Sequence, residues 1–126
     1  MIQAIGIDLV GIDRCAHWHT YSPAKLARIF SSEEIRYCLS VPAKSAERFA
    51  VRFAAKEAFY KSLSSPYGVQ VQPFLTIARH ASVSLAPTGS PQLLVDWPQL
   101  NLEPLSVLIS LSHTKTTACA CIFIAQ

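Results

Sequence analysis

A carboxylate interrupts the apolar stripe of a helix that the sequence predicts near its centre. Ala46, Phe49, Ala50 and Phe53 are spaced at i, i+3, i+4 and i+7, and at about 100° per residue Glu57 falls on the same stripe. A carboxylate on a buried face is costly unless a hydrogen-bond donor, a cation or a metal compensates it. This position therefore marks Glu57 as a candidate for chemistry.

Three cationic side chains surround this carboxylate. Arg52 and Lys56 flank the stripe, and Lys61 lies one helical turn beyond Glu57. Such a group could hold a metal ion and a phosphate together. An ordinary alternative exists, because Glu57 and Lys61 also form an i, i+4 pair of the kind that supports a helix by only a few tenths of a kcal/mol. Flanking cations such as Arg52 and Lys56 also more often make solvated or structural ion pairs.

Two distant segments supply further polar groups. Ile5, Ile7 and Leu9 alternate with smaller or polar residues, which predicts a first strand whose Ile/Leu side faces the core and whose Asp8 points the other way. Taken alone, Asp8 would be expected in solvent. Ser112-His113-Thr114-Lys115 links two β-type runs and presents hydroxyls, an imidazole and an ammonium suited to an anion.

Asp8 and Glu57 together would meet the usual requirement of a magnesium ion. Magnesium is commonly held by one or two carboxylates and completes its octahedron with waters and substrate phosphate oxygens. Lys61 would then meet a phosphate oxygen or a leaving group on which charge builds.

The elements that carry these residues predict an α+β fold, with a long central helix packed on an antiparallel sheet in a single domain spanning residues 1–126. Capping signals begin the predicted helices, with Asp13 before a first short helix, Ser22-Pro23 before a second and a capping box at Ser31 to Glu34 before a third. The long helix is predicted over about 43–63 and a turn at 64–68 ends it. Predicted strands follow at 74–78, 81–85, 92–95, 106–112 and 117–124.

Composition excludes several classes of protein. The chain has 126 residues, of which 51% are hydrophobic and 15% charged, so disorder is excluded as its main state. No apolar run reaches the roughly 18 residues of a membrane span, and the N-terminus lacks the pattern of a secretory signal. We therefore expect a cytoplasmic protein without a membrane partner. A net charge of +3 favours an anionic partner, but the scattered basic residues match no nucleic-acid-binding motif.

Three blocks in this order resemble the signatures of holo-[acyl-carrier-protein] synthase, the small bacterial type of 4′-phosphopantetheinyl transferase. They are Gly6-Ile7-Asp8-Leu9-Val10 with Ile12 and Arg14, then Arg52-Phe53-Ala54-Ala55-Lys56-Glu57-Ala58 through Lys61, and then Ser110-Leu111-Ser112-His113. The central block is the most specific. The resemblance implies the 4′-phosphopantetheinyl transferase fold and transfer of phosphopantetheine from coenzyme A to a serine of apo acyl carrier protein in fatty acid biosynthesis. The products would be holo carrier and adenosine 3′,5′-bisphosphate.

The resemblance also assigns roles to residues. It implies that Asp8 and Glu57 bind magnesium and that Lys61 lies near the coenzyme A phosphates, the three together forming the catalytic group. It implies that Arg14 meets an acidic carrier protein. Coenzyme A contacts are expected at Arg52, Lys61, Gly89, Pro91, Ser112, His113 and Thr114.

Family resemblance further implies a homotrimer with active sites between subunits. The chain departs from the family at Ser90, where lysine is usual, and around Trp18 and His19, where carrier choice could be affected. Two alternatives use the same residues. One is a metal-dependent pyrophosphate hydrolase acting on a nucleotide, and the other is an inactive module that binds a carrier protein.

Overall fold

The computed structural model describes residues 1–67 and 71–126. Its elements follow the predicted α+β order, in which one strand is followed by helices and then mainly by antiparallel strands. In chain order they are β1 (Ile2–Gly11), α1 (Pro23–Leu26), α2 (Ser32–Leu39), α3 (Ser45–Tyr67), α4 (Phe74–Arg79), β2 (Ala81–Leu85), β3 (Pro91–Val95), α5 (Trp97–Leu100), β4 (Ser106–His113) and β5 (Thr117–Ala125). Short 3-10 turns at Ile12–Cys15, Trp18–Thr20 and Pro42–Lys44 lie between them. No helix in the described ranges is long and apolar enough to cross a membrane.

Two antiparallel sheets flank the long helix. The larger has the order β1-β5-β4, so that β5 lies in the middle and pairs Asp8 with Ala120 on one side and His113 with Ala118 on the other. The smaller sheet is the hairpin of β2 and β3, whose turn includes Gly89 at φ 89°. The left-handed conformation at that turn favours glycine.

Helix α3 packs against the larger sheet through residues that are small at the point of closest approach. A Cβ built on Gly6 would overlap the carbonyl oxygen of Ala58 and would lie 2.8 Å from the Ala58 carbonyl carbon and 3.0 Å from the Ser62 nitrogen. Only glycine therefore lets β1 approach α3 this closely. The contact places Asp8, two residues further along the same face of β1, against α3.

The predicted orientation of β1 is wrong. Its alternation is as expected, but Ala4, Asp8 and Val10 face the core, whereas Ile5, Ile7 and Leu9 are 59%, 57% and 66% exposed. The contact of Gly6 with α3 explains the difference, because a bulky Ile or Leu side chain could not fit where this strand passes closest to the helix. Asp8 is correspondingly only 8% exposed, rather than solvated.

The segment after α3 also differs from the prediction. Residues 74–78 belong to helix α4 rather than to a strand, with Pro73 at the N-cap position and Ile77 and Ala78 completely buried. A short run rich in apolar residues does not distinguish a strand from a helix, and packing on α3 decides here. Helix α3 continues to Tyr67, past the predicted end at Leu63, and Gly68 of the predicted turn lies outside the described residues.

Capping signals predicted two helix starts correctly, whereas the apolar pattern at 74–78 predicted the wrong element. Ser22 accepts a hydrogen bond from the backbone of Lys25, and both bonds of the capping box between Ser31 and Glu34 are present. The prediction for Asp13 is wrong, since it lies within the turn Ile12–Cys15, which has no side-chain cap. The strands predicted at 81–85, 92–95, 106–112 and 117–124 form with nearly those bounds, and they pair as the hairpins β2–β3 and β4–β5.

Candidate active site

Asp8 lies buried between β1 and α3 and is held by one cation. Its Oδ1 accepts a hydrogen bond from Lys61 Nζ at 2.8 Å, and Lys61 Nζ also donates to the carbonyl of Ile7 at 3.2 Å. Asp8 Oδ2 is buried and has no hydrogen-bond partner. A buried carboxylate oxygen without a donor is unfavourable on its own, so this atom is available to a cation.

Glu57 projects from α3 toward the same place. Partial burial raises the pKa of Glu57, and the negative charge of Asp8 raises it further, while Arg14 and Lys61 act in the opposite direction. Two carboxylates that repel each other in this way are stabilised when a cation lies between them. Their convergence brings together segments that are 49 residues apart in the sequence.

Lys61 does not form the i, i+4 ion pair with Glu57 that the sequence offered as an ordinary alternative. Lys61 forms its ion pair with Asp8 of β1, a neighbour in space and not in the helix. Its side chain is otherwise half exposed, so the ammonium remains accessible to a ligand. The pKa of Lys61 is raised, chiefly through the hydrogen bond to Asp8.

Lys56, by contrast, has a structural role. Its completely buried Nζ donates to Glu34 Oε1 at 2.8 Å and to the carbonyls of Ala78 at 2.8 Å and Ala81 at 2.6 Å. Glu34 Oε2 also accepts a hydrogen bond from the backbone of Val83 at 2.9 Å. This ion pair ties α2, α3, α4 and β2 together, and burial lowers the pKa of Lys56. All three ammonium protons have acceptors, so Lys56 is not available to a phosphate.

Arg52 and His113 form a second cluster. Arg52 is 6% exposed, its guanidinium carbon lies 4.4 Å from the ring centre of Tyr37, and its buried Nε has no hydrogen-bond partner. His113 Nε2 lies 2.7 Å from Glu47 Oε1, and both residues line a groove with Arg52. The full lining of this groove, which we call the cationic groove, is Tyr37, Lys44, Glu47, Arg48, Val51, Arg52 and His113.

The two clusters lie on different sides of α3. Arg52 and Glu57 are five residues apart, which at about 100° per residue places them about 140° apart around the helix axis. One chain therefore presents a carboxylate site on one side of α3 and the cationic groove on the other.

The remaining predicted residues lie outside the carboxylate cluster or at its edge. The guanidinium of Arg14 lies 5.0 Å from the ring centre of Phe53 and close enough to Glu57 to lower its pKa. Thr114 accepts hydrogen bonds from the backbones of Thr116 and Thr117, so its hydroxyl shapes the β4–β5 turn. Ser112 is exposed on β4, and Gly89 and Pro91 belong to the β2–β3 hairpin.

Comparison with known proteins decides the family. A family described as the 4′-phosphopantetheinyl transferase superfamily matches residues 4–122. The chain belongs to this superfamily. Curated relatives include the holo-[acyl-carrier-protein] synthase of Treponema denticola, 36% identical over 129 residues and covering 98% of each chain. Another is that of Chlamydia muridarum, 36% identical over 118 residues, covering 92% of this chain and 89% of the relative.

Solved structures show the same transferase fold. A complex of an ACPS with CoA from Chronobacterium ammoniagenes has a TM-score of 0.79 at 27% identity, covering 96% of this chain and 95% of that one. The holo-(acyl-carrier-protein) synthase of Bacillus anthracis in complex with CoA (3′,5′-ADP) has a TM-score of 0.75 at 26% identity, covering 98% and 96%.

Within this transferase chain, sequence reasoning overlooked five lining residues of the cationic groove, namely Tyr37, Lys44, Glu47, Arg48 and Val51. A signal for one of them was present, because Arg48 precedes Arg52 by one helical turn and therefore shares its face of α3. The contribution of Tyr37 depends on how α2 packs against α3, which no local pattern indicates.

Proposed function

We propose that the protein transfers the 4′-phosphopantetheine group of coenzyme A to a serine hydroxyl of an apo acyl carrier protein, as one transferase domain of residues 1–126. The observation that carries this proposal is the convergence of Asp8, Glu57 and Lys61 where β1 meets α3. Curated relatives named holo-[acyl-carrier-protein] synthase support it, as do related structures that contain coenzyme A. The products are holo carrier and adenosine 3′,5′-bisphosphate, and the setting that we propose is cytoplasmic fatty acid biosynthesis.

The residues present fit a magnesium ion. Asp8 and Glu57 supply the one or two carboxylates that magnesium commonly takes from a protein, and Asp8 Oδ2 lacks any other partner. The described residues contain no cluster of three or more metal-ligating side chains, so waters and phosphate oxygens would complete the coordination. When bound, magnesium supplies polarisation of the phosphoryl oxygens and neutralisation of developing charge.

Lys61 contributes to donor binding and catalysis. Its ammonium is half exposed, and within the described residues it donates to Asp8 and to the Ile7 carbonyl, so its third N–H can donate a hydrogen bond to a phosphate oxygen. A cation placed where negative charge develops on the departing phosphate stabilises the transition state more than the ground state.

The cationic groove binds another part of coenzyme A. Arg52 provides the charge and His113 lies beside it in the groove. The polar residues Ser112 and Thr114 and the turn residues Gly89 and Pro91 complete the donor-binding set that we propose. Ser90 cannot supply the charge of the usual family lysine, which makes the arginines of this groove more important in this chain.

Arg14 is the carrier contact that we propose. It lies beside the catalytic carboxylates, where an incoming serine must arrive, and the net charge of +3 favours encounter with an acidic carrier. Complementary charge of this kind raises the association rate more than the final affinity.

A homotrimer with shared sites explains two features of the single chain. Ile5, Ile7 and Leu9 leave one side of the sheet apolar and exposed, together with Leu108 and the adjoining Phe123, and surfaces of this kind mark interfaces. The carboxylate site and the cationic groove also lie on different sides of α3. In a closed ring, the carboxylates of one subunit would meet the groove of its neighbour.

The transfer activity is tested with purified protein, coenzyme A, magnesium and apo carrier protein. Intact mass spectrometry should show the carrier gaining the mass of one phosphopantetheine group. Turnover of coenzyme A without any carrier would instead support the pyrophosphate hydrolase. No turnover under either condition would support the inactive binding module.

Mixing subunits tests the shared site. Asp8→Ala and Arg52→Ala should each reduce activity strongly, but co-refolded mixtures should recover part of it, because some sites would combine two intact halves. Light scattering on the same samples should give the mass of a trimer, and Ile7→Lys should lower it. Mixtures no more active than the average of the two variants would refute sites between subunits.

A further inference from the structure

Arg48 is held in the cationic groove without an anionic partner. Its Nη1 donates to the carbonyl of Tyr37 at 2.9 Å and to Ser40 Oγ at 3.0 Å, and its guanidinium carbon lies 4.0 Å from the ring centre of Tyr37. These contacts use one nitrogen and one face of the guanidinium. Since arginine has five N–H donors in a planar fork, several remain for a ligand.

The groove carries excess positive charge. Glu47 is the acidic residue of its lining, and Glu47 already pairs with His113. Among the described residues, no carboxylate lies within 4 Å of Arg48 or Arg52. The buried, unpartnered Nε of Arg52 adds a second observation, because a buried guanidinium donor without an acceptor is unfavourable unless a ligand supplies one. Arginine pairs suit phosphate, which accepts bidentate hydrogen bonds.

Coenzyme A has two kinds of phosphate, and only one reacts. Its pyrophosphate must reach Asp8, Glu57 and Lys61, whereas its 3′-phosphate is a dianion that takes no part in bond breaking. Arg48 lies nine residues before Glu57 in α3, which places it about 13.5 Å away along the axis and on the opposite side of the helix. Within one chain, Arg48 therefore cannot share the reacting phosphates with Glu57, and the doubly charged 3′-phosphate suits the excess positive charge of the groove better than either singly charged phosphate of the pyrophosphate.

We propose that Arg48 is a further donor-binding residue that contacts the non-reacting 3′-phosphate of coenzyme A, and that Tyr37 is the residue that positions it. This inference rests on the proposed transfer activity. It gives Arg48 the role of distinguishing coenzyme A from dephospho-coenzyme A, which lacks that phosphate.

Tyr37 can position both arginines because its own helix is fixed. The phenol ring contacts both guanidinium groups, at 4.0 Å for Arg48 and 4.4 Å for Arg52. Helix α2 cannot shift easily relative to α3, since the completely buried ion pair between Glu34 and Lys56 joins them. An aromatic face in contact with two like charges helps keep them close together before the anion arrives.

The test compares coenzyme A with dephospho-coenzyme A in the transferase assay. Arg48→Gln should raise KM for coenzyme A about tenfold or more, the usual effect of losing a hydrogen bond to a charged group, and leave kcat within about twofold. KM for dephospho-coenzyme A should hardly change. Arg48→Lys should be intermediate, because it keeps the charge but loses the planar fork. Arg36→Gln on the exposed side of α2 is the matched control and should not affect either donor.

Tyr37→Leu tests positioning separately. It should raise KM for coenzyme A while Arg48 remains present, and combining it with Arg48→Gln should add little, because both changes remove the same contact. A purely structural role would raise KM for both donors alike.

Each outcome is decisive for one claim. Wild-type protein that never modifies a carrier refutes the proposed function. If the wild type is active but Arg48→Gln keeps its preference for coenzyme A over dephospho-coenzyme A, the inference about Arg48 fails and the proposed function stands. Because both donors are measured on one preparation, partial unfolding of a variant does not alter their ratio.

Discussion

Replacing Gly6 by Ala should damage both stability and activity, because this residue sets the distance between β1 and α3. The new Cβ would overlap the carbonyl oxygen of Ala58. Backbone cannot rotate away as a flexible side chain can, so β1 and α3 must separate by about 1 Å, the kind of backbone shift that overpacking forces.

General magnitudes for overpacking and for displaced catalytic groups set the size of both effects. Overpacking of this kind costs about 1–3 kcal/mol of unfolding free energy. At about 4 °C per kcal/mol, this corresponds to a fall of about 4–12 °C in Tm for a chain of this size. Asp8 lies two residues from Gly6 on the same face of β1, and a displacement of about 1 Å at a catalytic group can reduce the rate about 100-fold. We therefore expect activity to fall further than the loss of folded protein explains.

Gly11→Ala provides the matched control. Its Cβ would lie 2.9 Å from Asp13 Oδ1, an exposed side-chain atom that can move, and Gly11 has φ −65°, which alanine adopts readily. Thermal unfolding and carrier modification, measured at a temperature where all variants are folded, give the two quantities. Gly6→Ala with the Tm and kcat/KM of Gly11→Ala would refute the close approach as the feature that positions Asp8.

Three further predictions concern the charged groups. Asp8→Asn should abolish transfer and the rise in Tm that magnesium produces by binding the folded state; an unchanged rise would refute Asp8 as a ligand. Without metal, the raised pKa of Glu57 means that the folded protein binds more protons than the unfolded one, so this residue stabilises the fold below its unfolded pKa and loses that contribution as pH rises through its folded pKa. The free energy of unfolding, measured by urea titration at several pH values, should therefore decline less with rising pH in Glu57→Gln than in the wild type. An equal decline in both proteins would contradict the raised pKa. Lys56→Met should cost about 3–5 kcal/mol by leaving Glu34 buried and unpaired, and adding Glu34→Leu should recover much of it; a mild effect of Lys56→Met alone would refute the structural assignment.

Local signals predicted most elements, because their causes lie within a few residues. The capping box at Ser31 and the cap at Ser22 depend on neighbours three positions away, and both are present. The strand predicted at 74–78 failed because the same apolar residues suit a helix, and contact with α3 selects it. A pattern of five residues carries no information about the distant helix against which the segment packs.

The candidate site shows the same division. Asp8, Glu57 and Lys61 could be selected in advance because their residue types and the family blocks mark them, and the structure brings them together. Their roles remain predictions. The bond of Lys61 to Asp8 could not be foreseen, since the i, i+4 spacing suggested Glu57 as its partner. Arg48 and Tyr37 were overlooked because their importance arises from the packing of α2 on α3.

The error in orienting β1 connects the fold to the proposed assembly. Ile5, Ile7 and Leu9 suggested a core-facing side because burial within one chain is the usual reason for an apolar stripe. The side that meets α3 instead requires the smallest residue, and that requirement turns Asp8 inward beside Glu57. The larger apolar residues must then lie outside, where a second copy can cover them. On this account, the residues that we propose as the catalytic pair also expose the surface that we propose for subunit contact, so the proposed site and the proposed trimer depend on one alternating strand.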